Sequence, residues 1–379
     1  MKNKQWKISF CIVCMNRLHQ LRETLLRNIN ENKRYPDLEF ILLDYNSSDG
    51  MEEWAKDHLG DLIAGGRLVY YRTREPRSFS HSHSKNIAFK LATGDIVCNI
   101  NADHFAGEGY AEYINEKFNN DPNIVLTPIG LYDKQTKYSP PKDVMGKVCV
   151  KKSDFMLVKG FDERMAKYGF EDHDFTNRLV LQGVKRVHIT DAVFLNFIAH
   201  PEDERYIIDT SIVESLHVCY FTPSVSELII LYKNGFFEKG TMINYLTVNA
   251  SDCLNFNKPM GSPFPFYIKT NGLNGWLKGV WRQEGLHIQL FAEKEGDVLF
   301  SFNLEDAEEP AWMDEDERKR YFRIVDPVVV DSILRFNVYY YNRILMEDNL
   351  ARHKLVVNEN EFGKATVFKN FDNGSAIFI

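Results

Sequence analysis

The sequence KISFCIVCMNRLHQL, residues 7–21, gives the strongest indication of the fold. Its first part, Lys7–Met15, is an almost unbroken apolar run, which predicts a buried strand. A helical repeat follows at once, marked by Leu18, Leu21, Leu25 and Ile29. Asn16 and Arg17 separate the two patterns. A buried strand that passes through polar residues into an amphipathic helix is the first half of a βαβ unit.

The same alternation continues to about residue 130. We predict further strands at Leu38–Asp44, Arg67–Arg72, Asp95–Ile100 and Ile124–Pro128, with helices at Ser84–Ala92 and Glu108–Phe118. Strands separated by helices form parallel sheets that are covered on both faces. The predicted fold class is therefore α/β, with a mainly parallel, Rossmann-like sheet flanked by helices.

Polar residues follow three of these strands. Asn16 and Arg17 come after the first, DYNSSDG (Asp44–Gly50) ends the second, and NADH (Asn101–His104) follows the fourth. Loops of this kind are also polar because they face solvent. However, the carboxyl ends of parallel strands meet at one edge of the sheet, where open α/β proteins bind ligands. Three such clusters favour a nucleotide or nucleotide-sugar site.

Two groups of carboxylates are candidates for chemistry. In GFEDHDFTNRLVLQG, residues 169–183, Glu171, Asp172 and Asp174 lie at the start of a predicted helix. One alternative is that they are first-turn acids, each of which stabilises the helix by about 0.3 to 1 kcal/mol through the helix dipole. The others are that they bind a metal ion or that one of them is a general base. Asp103 is either a hard oxygen ligand for a divalent cation or the cap of the next helix. The residues alone leave these alternatives open.

The pattern changes after about residue 205. SVSELIILYKNGFF (Ser224–Phe237) looks helical, and a portion rich in Gly, Pro and aromatic residues follows it with short strand-like runs. The acidic run EDAEEPAWMDEDERKR, residues 305–320, is typical of a solvated helix. We therefore predict a first domain at 1–205 and a mixed α and β accessory domain at 206–379.

Composition excludes several classes of protein. The 379 residues carry a net charge of −7, with Lys and Arg spread along the chain, so a nucleic-acid surface is not expected. No segment has the ~18 consecutive apolar residues of a membrane span, and the start of the chain suits a buried strand better than a signal peptide. The six cysteines, including Cys11 and Cys14, suit buried reduced thiols better than zinc ligands. We expect a cytoplasmic protein.

A family resemblance arises from four segments in order: CMNRLHQL (14–21), FSHSHSKNIAF (79–89), VCNINADHF (97–105) and the acidic segment 169–183, followed by FIAHPEDER (197–205). Together they resemble inverting glycosyltransferases of the GT-A fold and family 2 type. The nearest likeness is to β-1,4-galactosyltransferases and to the galactosyl or N-acetylgalactosaminyl transfer domains of chondroitin-type synthases. The resemblance covers about residues 7–205.

The resemblance implies a role for each matching residue. Asp172 would be the general base, and Glu171 would hold the acceptor sugar. Asp103 and His200 would bind Mn²⁺ or Mg²⁺. The nucleotide-sugar site would comprise Asn16, Arg17, Asp44, His81, Asn86, Asn101 and Asp103, with Asp44 accepting from uracil.

The sequence also departs from the family pattern. Asn101 replaces the first Asp of the D-x-D motif, and Phe197 stands where galactosyltransferases have a Met metal ligand. Tyr168, Gly169 and Phe170 replace the residues that precede the acidic motif. Because these positions contact metal and acceptor in the family, the donor sugar is not inherited from the resemblance.

The sequence therefore predicts a metal-dependent inverting hexosyltransferase. It would move a sugar from UDP-galactose, UDP-N-acetylgalactosamine or UDP-glucose to a saccharide or lipid-linked acceptor, in the synthesis of a surface polysaccharide or glycolipid. Peripheral association with the inner membrane face and a homo-oligomer stay open. One alternative is a sugar nucleotidyltransferase, which would favour a glycine-rich first loop that CMNRLHQL lacks. The other is a non-catalytic nucleotide- or carbohydrate-binding protein with a degenerate transferase fold.

Overall fold

The computed structural model describes residues 4–128, 145–165, 168–199, 210–222, 225–243, 256–257, 267–268, 277–292, 296–304 and 321–379. The chain divides into two compact units. The first unit comprises Met1–Pro201 and Asp348–Ile379, and the second comprises Glu202–Glu347. The boundary predicted at residue 205 places residues 348–379 in the accessory domain, whereas these residues lie in the first unit.

The first unit is built on a nine-stranded sheet. Numbered in chain order, its strands are β1 (Ile8–Cys14), β2 (Leu38–Tyr45), β3 (Leu68–Thr73), β4 (Ile96–Asn99), β5 (Ile124–Pro128), β6 (Cys149–Lys151), β7 (Lys185–Ile189), β17 (Thr366–Lys369) and β18 (Ala376–Phe378). Its helices are α1 (Leu18–Glu31), α2 (Met51–Ala64), α3 (His81–Leu91), α4 (Tyr110–Asn120), α5 (Lys152–Leu157) and α6 (Glu171–Leu181).

The strand order is β18-β17-β3-β2-β1-β4-β6-β5-β7. The pairs β1–β2, β2–β3, β1–β4 and β5–β7 are parallel, and β1 and β2 are buried along their whole length. One buried cluster includes Phe10, Leu25 and Tyr110, and a second includes Ile41, Phe89 and Phe155. These observations confirm the predicted fold class of a mainly parallel sheet flanked by helices.

Three strands at the two sides of the sheet run antiparallel to their neighbours. β6 is inserted between β4 and β5, so that Cys149 pairs with Cys98. At the opposite side β17 pairs with β3, and β18 pairs with β17. The local sequence pattern did not predict any of these strands, because each is short and is fixed by partners that are distant in sequence.

The strand order places a crevice between β1 and β4. The chain passes from β1 outward to β2 and β3 on one side, then returns to place β4 on the other side. Such a reversal of strand order opens a cleft at the carboxyl ends of the two central strands, where α/β proteins bind their ligands. The residues that follow β1 and β4 therefore lie at the expected binding edge.

The second unit contains a seven-stranded antiparallel sheet with the order β15-β14-β13-β10-β9-β8-β16. Its elements are β8 (Val213–Thr222), β9 (Val225–Tyr232), β10 (Phe236–Ile243), β11 (Phe256–Asn257), β12 (Tyr267–Ile268), β13 (Leu277–Glu284), β14 (His287–Phe291), β15 (Val298–Asn303), β16 (Phe322–Arg323) and helix α7 (Pro327–Ala351), whose last four residues belong to the first unit. Leu216, Ile230 and Leu334 belong to one buried cluster of this unit.

The helix predicted at Ser224–Phe237 is wrong, because this stretch contributes to the β9–β10 hairpin. Leu228, Ile229, Ile230 and Leu231 are all buried. A short continuous apolar run fits a strand buried on both faces as well as it fits a helix. Gly235, at a φ of +83°, makes the tight turn that separates the two strands.

Other sequence predictions concern smaller features. The acidic run at 305–320 lies outside the described residues. Within the described parts of the chain, no helix has the length and apolar character needed to cross a lipid bilayer. Five of the cysteines are buried free thiols, at positions 11, 14, 98, 149 and 219.

Candidate functional site

Two carboxylates are held at the start of α6. Glu171 and Asp172 are its first two residues, and the chain reaches them through Gly169 and Phe170 at φ values of +86° and +67°. An aromatic residue rarely adopts this left-handed conformation, so the turn is a strained one. The side chain of Glu171 is 6% exposed and that of Asp172 is 13% exposed. Such burial distinguishes them from first-turn acids that only face solvent.

Lys85 joins these two carboxylates. Its Nζ donates to Glu171 Oε1 at 3.0 Å and to Asp172 Oδ1 at 2.7 Å, and its side chain is only 1% exposed. Lys85 is not among the predicted site residues. Its position four residues after His81 could have indicated it, because residues four apart on α3 share one face of the helix. A buried lysine is rare unless it is paired, so the pairing with two acids explains its position.

The surroundings of Glu171 and Asp172 shift the pKa values of the two acids in opposite directions. Burial raises the pKa of Asp172 to about 6, with the Glu171 charge adding to the effect and Lys85 opposing it. Burial acts in the same direction on Glu171, but Lys85 and His81 outweigh it and hold its pKa at about 2. At neutral pH both are carboxylates, and Asp172 is the more basic of the two. A carboxylate with a raised pKa is the better proton acceptor.

Asn101, beyond the end of β4, faces the same space as Asp172. A β-carbon added at Gly146 would lie 3.1 Å from Asn101 Nδ2 and 3.3 Å from Asp172 Oδ2. Asn99 Nδ2 donates to Asn101 Oδ1 and to the carbonyl oxygen of Gly146, each at 2.8 Å. Gly146 therefore leaves room between the strand end and the α6 carboxylate, and a larger residue would close this gap.

Asp103 lies two residues further along. Its side chain is 14% exposed, and its Oδ1 is 3.8 Å from Nε2 of the buried His104. The main-chain oxygen of Asp103 accepts from Ile198 N at 2.8 Å, and Phe105 N donates to the oxygen of Asn196 at 3.0 Å. The segment that ends shortly before His200 thus runs beside Asp103.

The loops after β1 and β2 are tied to each other. Asn16, at a φ of +56°, accepts from Ser48 N through Oδ1 at 2.8 Å. Leu18 N donates to Asp49 Oδ2 at 2.8 Å, so the carboxylate of Asp49 caps α1 from the neighbouring loop. Asn16 is exposed and Arg17 is half-buried. Asn16 and Arg17 therefore both have exposed surface at the edge of the sheet where β1 ends.

Asp44, the predicted uracil contact, is held by partners within the protein. Its side chain has no exposed surface, Ser47 N donates to Oδ1 at 2.7 Å, and the Tyr70 hydroxyl donates to Oδ2 at 2.7 Å. Arg72 Nε lies 3.5 Å from the same Oδ2. Burial raises the pKa of Asp44 although these partners oppose it. Asp44 therefore fixes the loop that follows β2 through its hydrogen bond with Ser47.

His81 lies within reach of the acid pair. Its Nδ1 is 3.7 Å from Glu171 Oε1, and its ring packs between Phe79 and Tyr168 at centroid distances of 4.7 Å and 5.2 Å. Burial lowers the pKa of His81 to about 4, with the Lys85 cation adding to this and Glu171 opposing it. His81 is therefore neutral at pH 7 and can accept or donate a hydrogen bond.

Asn86, a predicted nucleotide-sugar residue, forms hydrogen bonds within the protein. Asn86 is fully buried, and its amide nitrogen donates to the oxygen of Phe161 at 2.9 Å and to Glu163 Oε1 at 2.8 Å. Its Oδ1 accepts from Phe161 N at 2.8 Å. These hydrogen bonds connect α3 to the loop that precedes α6.

The predicted metal site is only partly described. Asp103 has carboxylate oxygens, which Mn²⁺ and Mg²⁺ prefer as ligands, and it follows β4 at the expected edge of the sheet. His200 lies outside the described residues. Among the residues that the structure describes, no three His, Cys, Asp or Glu side chains are grouped closely enough to hold a metal ion.

The described part of the first unit thus combines an α/β sheet with polar residues at the carboxyl ends of β1, β2 and β4 and a buried acid pair at the start of α6, with Asp172 close to Asn101. Open α/β sheets bind ligands, nucleotides among them, at this edge. Residues 9–182 match the family model described as glycosyl transferase family 2. This match covers most of the first unit and agrees with the predicted GT-A fold class. No curated protein matches the chain.

Several solved structures are similar at low identity. The mannosyltransferase PcManGT from Pyrobaculum calidifontis, in complex with GDP-Man and Mn²⁺, has 21% identity and a TM-score of 0.41, with 52% of this chain and 58% of that chain covered. TarS 1-349 of S. aureus in complex with UDP has 16% identity, a TM-score of 0.41 and coverage of 52% and 62%. Its complex with UDP-GlcNAc has 14% identity, a TM-score of 0.42 and coverage of 53% and 62%. The chain therefore spans about three fifths of each solved chain.

Proposed function

We propose that this protein transfers a hexose or N-acetylhexosamine from a UDP-sugar to a saccharide or lipid-linked acceptor, with inversion at the anomeric carbon. The observation that carries the proposal is the position of Asp172. Its carboxylate is buried at the start of α6 and faces Asn101 across Gly146, at the edge of the sheet where nucleotides bind. The match of residues 9–182 to glycosyl transferase family 2 supports the same reaction class.

The proposed reaction is a single displacement. The acceptor hydroxyl oxygen forms a bond to the anomeric carbon while the bond from that carbon to the diphosphate oxygen breaks, and UDP leaves. Asp172 takes the hydroxyl proton as general base. Because the nucleophile attacks from the side opposite the leaving group, an α-linked donor gives a β-linked product. Glu171, which Lys85 keeps ionised, would accept a hydrogen bond from another hydroxyl of the acceptor sugar.

The donor would lie along the ends of β1 and β4. Asn16 and Arg17 would contact the nucleotide and its diphosphate, and neutral His81 would supply a hydrogen bond on the side of α3. Asp103 and His200 would hold Mn²⁺ or Mg²⁺, which would neutralise the charge of the departing diphosphate. UDP-galactose, UDP-N-acetylgalactosamine and UDP-glucose are the proposed donors, for a surface polysaccharide or glycolipid made at the inner membrane face.

A panel of nucleotide sugars tests this function. Each UDP-sugar is incubated with the full chain, Mn²⁺ and a mixture of oligosaccharide and lipid-linked acceptors, and the release of free UDP is measured. The proposal expects acceptor-dependent release with at least one donor. If UDP and Mn²⁺ raise the melting temperature but no donor is consumed, the alternative of a non-catalytic nucleotide-binding protein is favoured. If they cause no shift in melting temperature, the donor site itself is wrong.

Removal of the proposed metal ligand should weaken UDP binding only when metal is present. In Asp103→Ala we expect the affinity for UDP in the presence of Mn²⁺ to fall at least about tenfold, the range seen when metal sites are disrupted. Without metal, the variant and the parent protein should bind UDP equally. Isothermal titration with and without Mn²⁺ measures both values. Asp95→Ala, an exposed acid before β4, is the control and should behave like the parent protein.

The reaction should slow at acidic pH because Asp172 must be ionised to accept a proton. Burial raises its pKa to about 6, so the ionised fraction falls about tenfold for each pH unit below that value. We expect kcat/KM to be level above pH 7 and to decline with a slope of one below pH 6. Initial rates between pH 4.5 and 8.5 at saturating Mn²⁺ measure this profile. A level profile down to pH 5 would exclude Asp172 as the base.

A further inference from the structure

The end of the chain belongs to the unit that carries the acid pair. We define residues 348–379 as the C-terminal segment, which lies in the first unit although the whole second unit precedes it in sequence. Its strand β17 extends the sheet beside β3. Next to this strand, Asn370 accepts from Tyr70 N at 3.0 Å, and the Phe371 ring lies 4.6 Å from the ring of Tyr70. The sheet of the first unit is therefore completed by residues from the end of the chain.

The C-terminal segment also contacts α3. His83 Nε2 lies 2.9 Å from the main-chain oxygen of Lys364, and Lys90 Nζ donates to the oxygen of Phe362 at 2.8 Å. His83 Nδ1 is 2.6 Å from the hydroxyl of Tyr45. Because the oxygen of Lys364 can only accept, His83 carries its proton on Nε2 and accepts from Tyr45 through Nδ1. The helix that carries Lys85 is thus fixed partly by this segment.

A buried amide of the C-terminal segment, that of Asn349, contacts α6. Asn349 is 1% exposed, and its Nδ2 donates to Asp162 Oδ2 at 2.9 Å and to Asp174 Oδ1 at 2.8 Å. Its Oδ1 accepts from an Arg164 guanidinium nitrogen at 2.8 Å. All the hydrogen-bonding atoms of this amide are therefore used. Asp174 lies in the first turn of α6, directly after the residues that face the crevice.

The charges around Asn349 require a neutral side chain. Arg178 Nε donates to Asp174 Oδ2 at 2.7 Å, and Arg164 Nε donates to Asp162 Oδ1 at 2.9 Å. Two buried acids are thus already matched by two guanidinium groups. An amide donates to both acids without adding charge, whereas a carboxylate in its place would be a third like charge at hydrogen-bonding distance.

We propose that Asn349 is a positioning residue, which fixes the rotation of α6 and through it the direction of the Asp172 side chain. Asn349 does not touch the substrate in this arrangement. It acts through Asp174, and Arg178 adds a second connection by donating to the oxygen of Leu355 at 3.4 Å. The catalytic part of this proposal rests on the proposed function, but the structural part does not.

Variants of the full chain test the proposal. Asn349→Leu keeps the size of the side chain and removes both donors, and Asn349→Ser is the milder variant if the first does not fold. Asn373→Asp is the control, because Asn373 belongs to the same segment but is exposed and accepts from the exposed side chain of Arg74. Two quantities are measured: hydrogen exchange of the peptide 168–183 by mass spectrometry, and the kcat of sugar transfer together with the Kd for UDP.

We expect Asn349→Leu to increase exchange in the first turns of α6 and to lower kcat by roughly 10- to 100-fold, as misplaced catalytic groups do. The Kd for UDP should stay within twofold of the parent value, because the proposed donor contacts come from α3 and from the residues that follow β1 and β4, and none comes from α6. Asn349→Asp should lower the melting temperature more at pH 8 than at pH 5.5, where the added carboxyl group can take up a proton. Asn373→Asp should change none of these values.

Unchanged exchange of residues 168–183 in both Asn349→Leu and Asn349→Ser would overturn the proposal. Unchanged kcat with increased exchange would overturn its catalytic part. If the parent protein transfers no sugar with any donor, the proposed function fails, while the exchange experiment still decides whether Asn349 holds α6.

Discussion

Replacement of Asp172 by Asn should lower kcat by about 100- to 10,000-fold, which corresponds to about 3 to 5 kcal/mol of barrier. The amide has the same shape as the carboxylate but cannot take the acceptor proton. The Kd for UDP should stay unchanged, because the donor contacts lie on other elements. The fold should also persist, since Lys85 keeps Glu171 as its charge partner at 3.0 Å. Single-turnover rates and UDP titration measure the two effects separately.

A matched control separates the base from general effects of charge. Asp57 is an exposed acid on α2, and Asp57→Asn removes the same charge far from the crevice. It should leave kcat and the melting temperature at the parent values. If Asp172→Asn turned over donor as fast as Asp57→Asn, the base would have to be another residue and the proposed mechanism would be wrong.

Strands β1 and β2 could be predicted because they are buried on both faces, whereas the parallel strand β7, with one buried residue, gives no apolar run and was not predicted. Strands buried on both faces appear as continuous apolar runs, and β1 and β2 end within one residue of the predicted limits. Thr366–Lys369 has no such signal, since its place in the sheet depends on Tyr71–Thr73, almost the whole chain away. Local patterns carry little information on pairing at that separation.

Candidate residues for the site could be named from the sequence, but their burial could not. The spacing in GFEDHDFTNRLVLQG singles out Glu171 and Asp172 as candidates, and the structure adds that both side chains are buried at the start of α6. Asp44 and Asn86 have suitable residue types, but both are fully buried and occupied by internal partners. Lys85 was missed because its partner Glu171 is 86 residues away in sequence.

Replacement of Lys85 by Met should have the largest effect on stability. It leaves Glu171 and Asp172 buried with no cation between them, and removal of one partner from a buried ion pair typically costs about 3 to 5 kcal/mol of unfolding free energy. The pKa values of both acids should rise, so that Asp172 is partly protonated at neutral pH and kcat falls as well. Urea denaturation at several pH values measures the stability, and initial rates measure the turnover.

The pH dependence gives the sharper test of Lys85. In the parent protein the pKa of Glu171 is about 2, so its contribution to stability is present above its ordinary pKa of 4.5 and is lost as the pH falls from 4.5 towards 2. In Lys85→Met both acids should have folded-state pKa values above the unfolded ones. The folded variant then binds more protons than the unfolded chain, and its deficit in stability should shrink between pH 8 and pH 5.

Lys56→Met is the control for this prediction, because Lys56 is 45% exposed and its partner Glu52 keeps a second cation, Arg72, when Lys56 is removed. Ion pairs made by exposed lysines contribute about 0 to 1 kcal/mol, so this variant should lose little at any pH. The double variant with Lys85→Met and Glu171→Gln removes one of the two uncompensated charges, and it should recover part of the stability without recovering activity. If Lys85→Met were as stable at pH 8 as Lys56→Met, the ammonium group would not be holding the acid pair together. Asp172 would then owe its orientation to the α6 turn alone.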